Sequence, residues 1–154
     1  MILTMAQKIE KLRECPLFEG LSPDELKIIA LTCRVVQSGP GQVLLMEGDE
    51  SFEAYVIFQG RAEAYTVLKD GTEVVLGAFG ESEIFGEFAI LGDIPRSASV
   101  RTCTDFVGLV IEKEVFLKFL DQFPRVSRKI MKILIHRLLQ TNRRYLQVIQ
   151  KNRD

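Results

Sequence analysis

The sequence predicts a mostly β fold with flanking α-helices: an antiparallel β-roll or jelly roll, entered through N-terminal helices and left by a long C-terminal helix. Two observations carry this expectation. From Cys33 to Glu112, short β-rich runs alternate with turn signals at the roughly 8–12-residue spacing of antiparallel sandwiches. On either side of that region the apolar period lengthens to the 3.6 residues of an amphipathic helix. At 154 residues the chain suffices for one domain with its own core and is too short for two ordinary ones. Residues 1–154 are therefore read as one unit: a helical lead-in (1–32), a β-roll (33–112) and C-terminal helices (113–154).

Each element follows from a local signal. Residues 5–14 read as a short amphipathic helix, with Ile9 and Leu12 three apart. A second helix starts at Ser22, where Pro23 takes the first helical position and Asp24 and Glu25 bring acids to the first turn. The predicted strands are Arg34–Val36, Val43–Met46, Ala54–Phe58, Ala62–Leu68, Glu73–Phe79, Ala98–Thr102 and Val107–Ile111. Gly39-Pro40-Gly41, Gly48-Asp49, Gly60, Asp70-Gly71 and Gly80 punctuate them, and Asp70-Gly71 is a strong hairpin turn. A helix over 113–122 ends at Phe123-Pro124, and a longer one over 125–150 has no glycine or proline to interrupt it.

Composition narrows the classes. Hydrophobic residues make up 47% of the chain, which argues against disorder, and no apolar run is long enough to span a bilayer. With no signal-peptide pattern at the N-terminus, a cytoplasmic location is expected. The three cysteines (Cys15, Cys33, Cys103) form no metal pattern and are expected to be reduced and mostly buried. A net charge of −1 hides an asymmetry: residues 1–123 hold 11 Lys/Arg against 20 Asp/Glu, and residues 124–154 hold nine against Asp154 alone. His136 is the only histidine and is expected on a solvated helix face, so the metal site of a cupin-type jelly-roll enzyme has no ligand set. No nucleophile stands beside a base, and Ser51, Ser82 and Ser99 fall in no catalytic pattern. No catalytic residue, no metal and no cofactor are expected.

The most informative stretch is residues 85–98, Phe-Gly-Glu-Phe-Ala-Ile-Leu-Gly-Asp-Ile-Pro-Arg-Ser-Ala. It sets Glu87 nine residues ahead of Arg96, with a glycine before the acid and a small hydroxyl after the cation. A cyclic phosphate diester fused to a ribose needs such groups: a planar cationic fork for the anion, an acceptor for the free 2′-hydroxyl and bare backbone N–H groups near the phosphate. Gly86 permits that approach. Glu87, Phe88 and Ala89 can open a short helical turn whose amides point at the anion.

This stretch resembles the phosphate-binding cassette of cyclic-nucleotide-binding domains. Cys15-Pro-Leu-Phe-Glu-Gly-Leu-Ser-Pro-Asp-Glu-Leu26 is similar to their helical lead-in, and Glu47-Gly48-Asp49 with Tyr55-Val-Ile-Phe-Gln-Gly60 to their first glycine-turn motif. The closest likeness is to catabolite-activator-like sensors, reaching Arg137-Leu-Leu-Gln-Thr141-Asn142 on the last helix. The resemblance implies that Arg96 forks onto the phosphate oxygens, that Glu87 accepts the ribose 2′-hydroxyl, and that Gly86 and Ala89 stay small to let the backbone approach. It implies a phosphate-facing N–H from Ala98 and a hydroxyl from Ser97, whose serine suits cAMP, leaving cGMP second. Leu76 is expected to pack on the base or simply in the core. Arg137 is expected near the phosphate, with Thr141 or Asn142 at the adenine amino edge. Neither Arg96 nor Glu87 is expected to matter much for folding, since both are assigned to the ligand.

The implied function is a non-enzymatic cyclic-nucleotide sensor that acts by repositioning its C-terminal helix, with an effector left unidentified. Polar Thr141-Asn142 interrupts an apolar seam (Met131, Leu134, Leu138, Tyr145, Val148) whose three–four alternation predicts a homodimer through residues 125–150; packing on its own domain is the alternative. Catabolite-activator regulators continue into a helix-turn-helix that this sequence does not include, so direct DNA binding is not expected from it. Two further readings stand beside the sensor. One is a nucleotide-independent interaction module whose basic helix meets an acidic protein or anionic lipid. The other is the sensor part of a transcription regulator.

Overall fold

The structure, a computed structural model, describes residues 2–153. In chain order the elements are α1 (Met5–Glu14), a 3₁₀ turn (Pro16–Phe18), α2 (Pro23–Thr32), β1 (Arg34–Ser38), β2 (Val43–Leu45), β3 (Glu53–Gln59), β4 (Ala62–Val67), β5 (Glu73–Phe79), β6 (Ile84–Phe85), α3 (Glu87–Gly92), β7 (Ser99–Thr102), β8 (Phe106–Glu112), α4 (Lys113–Gln122) and α5 (Pro124–Arg153). The expected β-roll with flanking helices is the observed architecture.

Two four-stranded antiparallel sheets form the roll, in the orders β1-β8-β3-β6 and β2-β7-β4-β5. Side chains alternate along β3 and β8 so that both faces of the first sheet are covered. Tyr55, Ile57, Phe85, Phe106 and Val110 point into the roll, against Leu45, Ala62, Ala64 and Val100 of the second sheet. Ala54, Val56, Val107, Leu109 and Ile111 point the other way, under a helical layer that supplies Leu12, Phe18, Leu26, Ile29, Phe116, Phe119, Val126 and Ile130. One sheet thus divides two apolar cores. Its inner strands therefore read as near-continuous apolar runs, whereas β5, at the edge of the second sheet, leaves Val74, Val75 and Leu76 exposed.

The lead-in helices start where their caps dictate. Thr4 with Gln7 and Ser22 with Glu25 each form a reciprocal capping box, the side-chain oxygen accepting from the third helical amide and the third side chain accepting from the cap amide. Pro124 ends α4 and opens α5, since a proline at the first helical position forgoes only an amide that has no intrahelical acceptor. Near its start α5 is tied to the lead-in: Arg125 donates to the carbonyl of Gly20 (2.9 Å) and Lys129 pairs with Glu19 (2.8 Å). Cys15 and Cys33 are buried, as expected, and burial pushes both thiols up to about 12. Cys103 is exposed, because it follows β7 into the turn before β8.

Candidate functional site

Glu87 and Arg96 reach the same cavity from opposite ends of one loop–helix excursion. β6 delivers the chain to Gly86, which adopts the left-handed conformation (φ +86°) and caps α3. A Cβ there would sit 2.8 Å from the carbonyl oxygen of Glu53 and 3.1 Å from Nη1 of Arg96, so only glycine fits this turn. The amides of Glu87, Phe88 and Ala89 then open α3 at the cavity wall, as the sequence suggests. The cavity holds about 80 Å³. Its floor is apolar, made by Leu45, Ala64, Phe79, Phe85 and Val100, and its polar side is Gly86, Glu87, Arg96, Ser97, Ala98 and Arg137. Phe85 stacks between Tyr55 (4.9 Å between centroids) and Phe79 (5.4 Å).

Arg96 is only 4% exposed and is more than a ligand group. Nε donates to Ser51 Oγ (2.8 Å), Nη1 to the carbonyl of Gly86 (2.8 Å) and Nη2 to that of Glu53 (2.9 Å). Its backbone is pinned as well: its amide donates to Asp49 and its carbonyl accepts from Gly48, both 2.9 Å. The expectation that Arg96 has little to do with folding is thereby corrected, because it ties three chain segments together. A guanidinium has five N–H groups, so one remains on each terminal nitrogen beside the cavity. Burial lowers the Arg96 pKa, but an arginine keeps its charge.

Glu87 is 1% exposed and paired with Arg137 of α5. Arg137 also donates to the carbonyl of Ile84 and lies over the Phe79 ring, 5.2 Å from its centroid. Burial raises the Glu87 pKa, with the Arg137 charge opposing it. The folding role expected to be small for Glu87 is also corrected, since this pair holds α5 to the cassette. Arg137, expected near the phosphate, lines the same cavity as Arg96, with its guanidinium on the Glu87 carboxylate.

The remaining expectations divide. Phe88, Ala89, Ser97 and Ala98 line the cavity, with Ala89 buried and Ser97 exposed. Leu76 does not: it is 45% exposed on β5, and its carbonyl accepts from Arg144 (2.6 Å). Thr141 and Asn142 are exposed beyond the cavity rim, and the Thr141 hydroxyl donates back to the carbonyl of Arg137 (3.0 Å). His136 is exposed, as expected. Sequence reading missed Ser51, whose one signal is its place after the Gly48-Asp49 turn, and the aromatic floor of Phe79 and Phe85. Among the described residues, no group of three or more His, Cys, Asp or Glu side chains could hold a metal ion. No described helix is long and apolar enough to cross a membrane.

Comparison with known proteins identifies the family and the fold. A family model described as the cyclic nucleotide-binding domain matches residues 35–123, more than half of the chain. A CRP-like cAMP-activated global transcriptional regulator of Mycobacterium tuberculosis is 26% identical over 133 residues, covering 86% of this chain and 59% of the regulator. A cAMP-dependent protein kinase regulatory subunit of Colletotrichum orbiculare is 35% identical over 118 residues, covering 77% of this chain and 29% of that subunit. Among solved structures, the catabolite activator protein of Thermus thermophilus is similar with a TM-score of 0.77 at 26% identity, over 88% of this chain and 63% of that one. The chain thus spans less than two thirds of the length of these relatives.

Proposed function

The chain belongs to the cyclic nucleotide-binding domain family, and from that membership we propose that it is a regulatory, non-catalytic module that binds cAMP, with cGMP second, and answers by moving α5. The observation that carries this reading is the convergence of three groups on one cavity. Arg96 has an N–H left on each terminal nitrogen, the α3 amides stand beside it, and Glu87 offers a carboxylate. Two N–H groups from one plane match two oxygens of a phosphate, and a carboxylate oxygen can accept a ribose hydroxyl. Ser97, with its small hydroxyl at the rim, supports cAMP over cGMP.

The link to output is the Glu87–Arg137 pair. The cavity of about 80 Å³ falls well below the ~300 Å³ at which ligand sites begin. A nucleotide must therefore displace the contacts of Arg137 or share them, and either course changes how α5 sits on the roll. Binding is then coupled to helix position by whatever affinity difference the two positions present. Because the face of α5 turned away from the roll is apolar and exposed, we further propose that the output is read in a homodimer formed through α5. The cytoplasmic location and the effector belong to the same proposal.

Calorimetric titration with cAMP, cGMP and a cyclic dinucleotide is the test. We expect one cAMP site per chain with a dissociation constant on the order of micromolar or tighter, about 8 kcal/mol or more. No heat and no thermal shift at millimolar nucleotide would refute the sensor reading.

A further inference from the structure

We propose that Ser51 is a positioning residue for the phosphate-binding fork. It closes the Nε edge of Arg96, so that the anion is taken end on, by the two terminal nitrogens alone. The inference rests on the nucleotide reading above and deepens it.

A guanidinium can offer an anion parallel N–H groups along its side, from Nε and one terminal nitrogen, or at its end, from both terminal nitrogens. The two edges hold a phosphate in different places, so a fork open at both does not fix its ligand. Here the side edge is taken. Ser51 Oγ accepts from Nε (2.8 Å) and the carbonyl of Glu53 from Nη2 (2.9 Å), both acceptors lying where the chain enters β3. Nη1 is held separately, by the carbonyl of Gly86 (2.8 Å). Nε carries a single hydrogen, which Ser51 uses up, whereas each terminal nitrogen keeps one.

Of these three acceptors Ser51 alone is a side chain. The turn that carries it is fastened to Arg96 through the backbone as well. The Arg96 amide donates to the carbonyl of Asp49, and the Gly48 amide donates to that of Arg96, both 2.9 Å. The turn therefore grips main chain and guanidinium together.

The charge of the acceptors matters as much as their place. A hydroxyl and two carbonyls orient the fork without neutralising it. The two carboxylates that act on Arg96 are each engaged with another arginine, Glu53 with Arg34 and Glu87 with Arg137. At 4% exposure the Arg96 cation is thus cut off from water and left to be met by an anion. A carboxylate at position 51 would orient the fork equally well and neutralise it.

The test uses the full chain, nitrogen-labelled and saturated with cAMP, and reads magnetic-resonance correlations from phosphorus to protons across N–H···O–P hydrogen bonds. The Arg96 Nε proton is identified by its loss in Arg96→Lys. In the parent we expect phosphorus to correlate with Arg96 Nη protons and not with the Nε proton. Ser51→Ala should keep its circular dichroism, lose about tenfold in cAMP affinity by calorimetry, and show a new correlation to the Nε proton as the phosphate reaches the vacated edge. Ser51→Thr, which keeps the hydroxyl, should restore both the affinity and the parent pattern. Ser51→Asp should bind more weakly than Ser51→Ala. A correlation to the Nε proton in the parent overturns the role of Ser51, as does a Ser51→Ala affinity within twofold of the parent. Affinity lost in Ser51→Ala without the new correlation also overturns it, since the hydroxyl then only supports the turn. Ser51→Asp binding as tightly as Ser51→Ala overturns the charge argument. A parent that gives no heat with cAMP refutes the nucleotide reading itself.

Discussion

Arg96 combines two duties whose failures separate experimentally. Its three hydrogen bonds to Ser51, Gly86 and Glu53 are charge-assisted and buried, and removing the guanidinium leaves two backbone carbonyls without donors. Arg96→Ala is expected to lower unfolding free energy by about 2–4 kcal/mol without ligand and to weaken cAMP binding at least thirtyfold. Arg96→Lys should restore part of the stability and little of the affinity, because a point charge cannot present two coplanar donors. Urea melts and calorimetry on the same preparations check both. Glu87 makes a pH-dependent prediction. Its carboxyl pKa is raised in the folded state, so ionising it costs stability, and the contribution present below about 4.5 is lost as pH rises through the raised value. Arg137 is what limits that loss. Arg137→Leu should therefore differ little from the parent at pH 4.5 and be about 1–3 kcal/mol less stable at pH 8. In a Glu87→Gln background the pH dependence of that difference should vanish; if it persists, the carboxylate is not its source.

Among the elements, the turn into α3 is the least tolerant. Gly86 is both left-handed and crowded, so Gly86→Ala forces a Cβ against the Glu53 carbonyl and the Arg96 fork together. We expect a stability loss of about 1–3 kcal/mol, with cAMP affinity falling further than in a neutral control such as Gly71→Ala, whose φ is equally positive but whose Cβ meets open space. A parallel drop in both variants would mean that backbone strain alone matters. These elements were unequally legible. The strands and long helices could be read because turn residues and apolar period agree there, and α3 because a glycine, an acid and small residues stand at its start. β6 could not, since two residues carry no period, and the 3₁₀ turn at Pro16–Phe18 is likewise too short. Leu76 is not a core leucine, because β5 is an edge strand that is partly covered only at Gly77 and Phe79. Arg137 was placed by family likeness near an anion; which anion, phosphate or carboxylate, is decided by how α5 crosses the roll, and no local signal encodes that.

For the molecule as a whole, the distribution of exposed apolar surface is the strongest statement about assembly. Met131, Ile135, Leu138, Leu139, Tyr145 and Leu146 lie uncovered along α5, and Val74, Val75 and Leu76 along β5. Monomers seldom leave contiguous apolar surface of this kind open to water. We expect static light scattering at about 100 µM to give the mass of a dimer, and Leu138→Glu to give that of a monomer with its circular dichroism unchanged, since an interface of ordinary size survives at such a concentration. Monomeric behaviour of the parent with and without nucleotide would refute assembly through α5.

The sheet β1-β8-β3-β6 works as a party wall between two households of apolar side chains. On the proposed function, opening the cavity would disturb the roll side at Arg137, where α5 leans around the end of the wall. Amides of β3 and β8 should hence exchange with deuterium at one slow rate, with or without nucleotide, while those of α3 and the second half of α5 change with it. On that reading the message travels around the masonry, by way of α5.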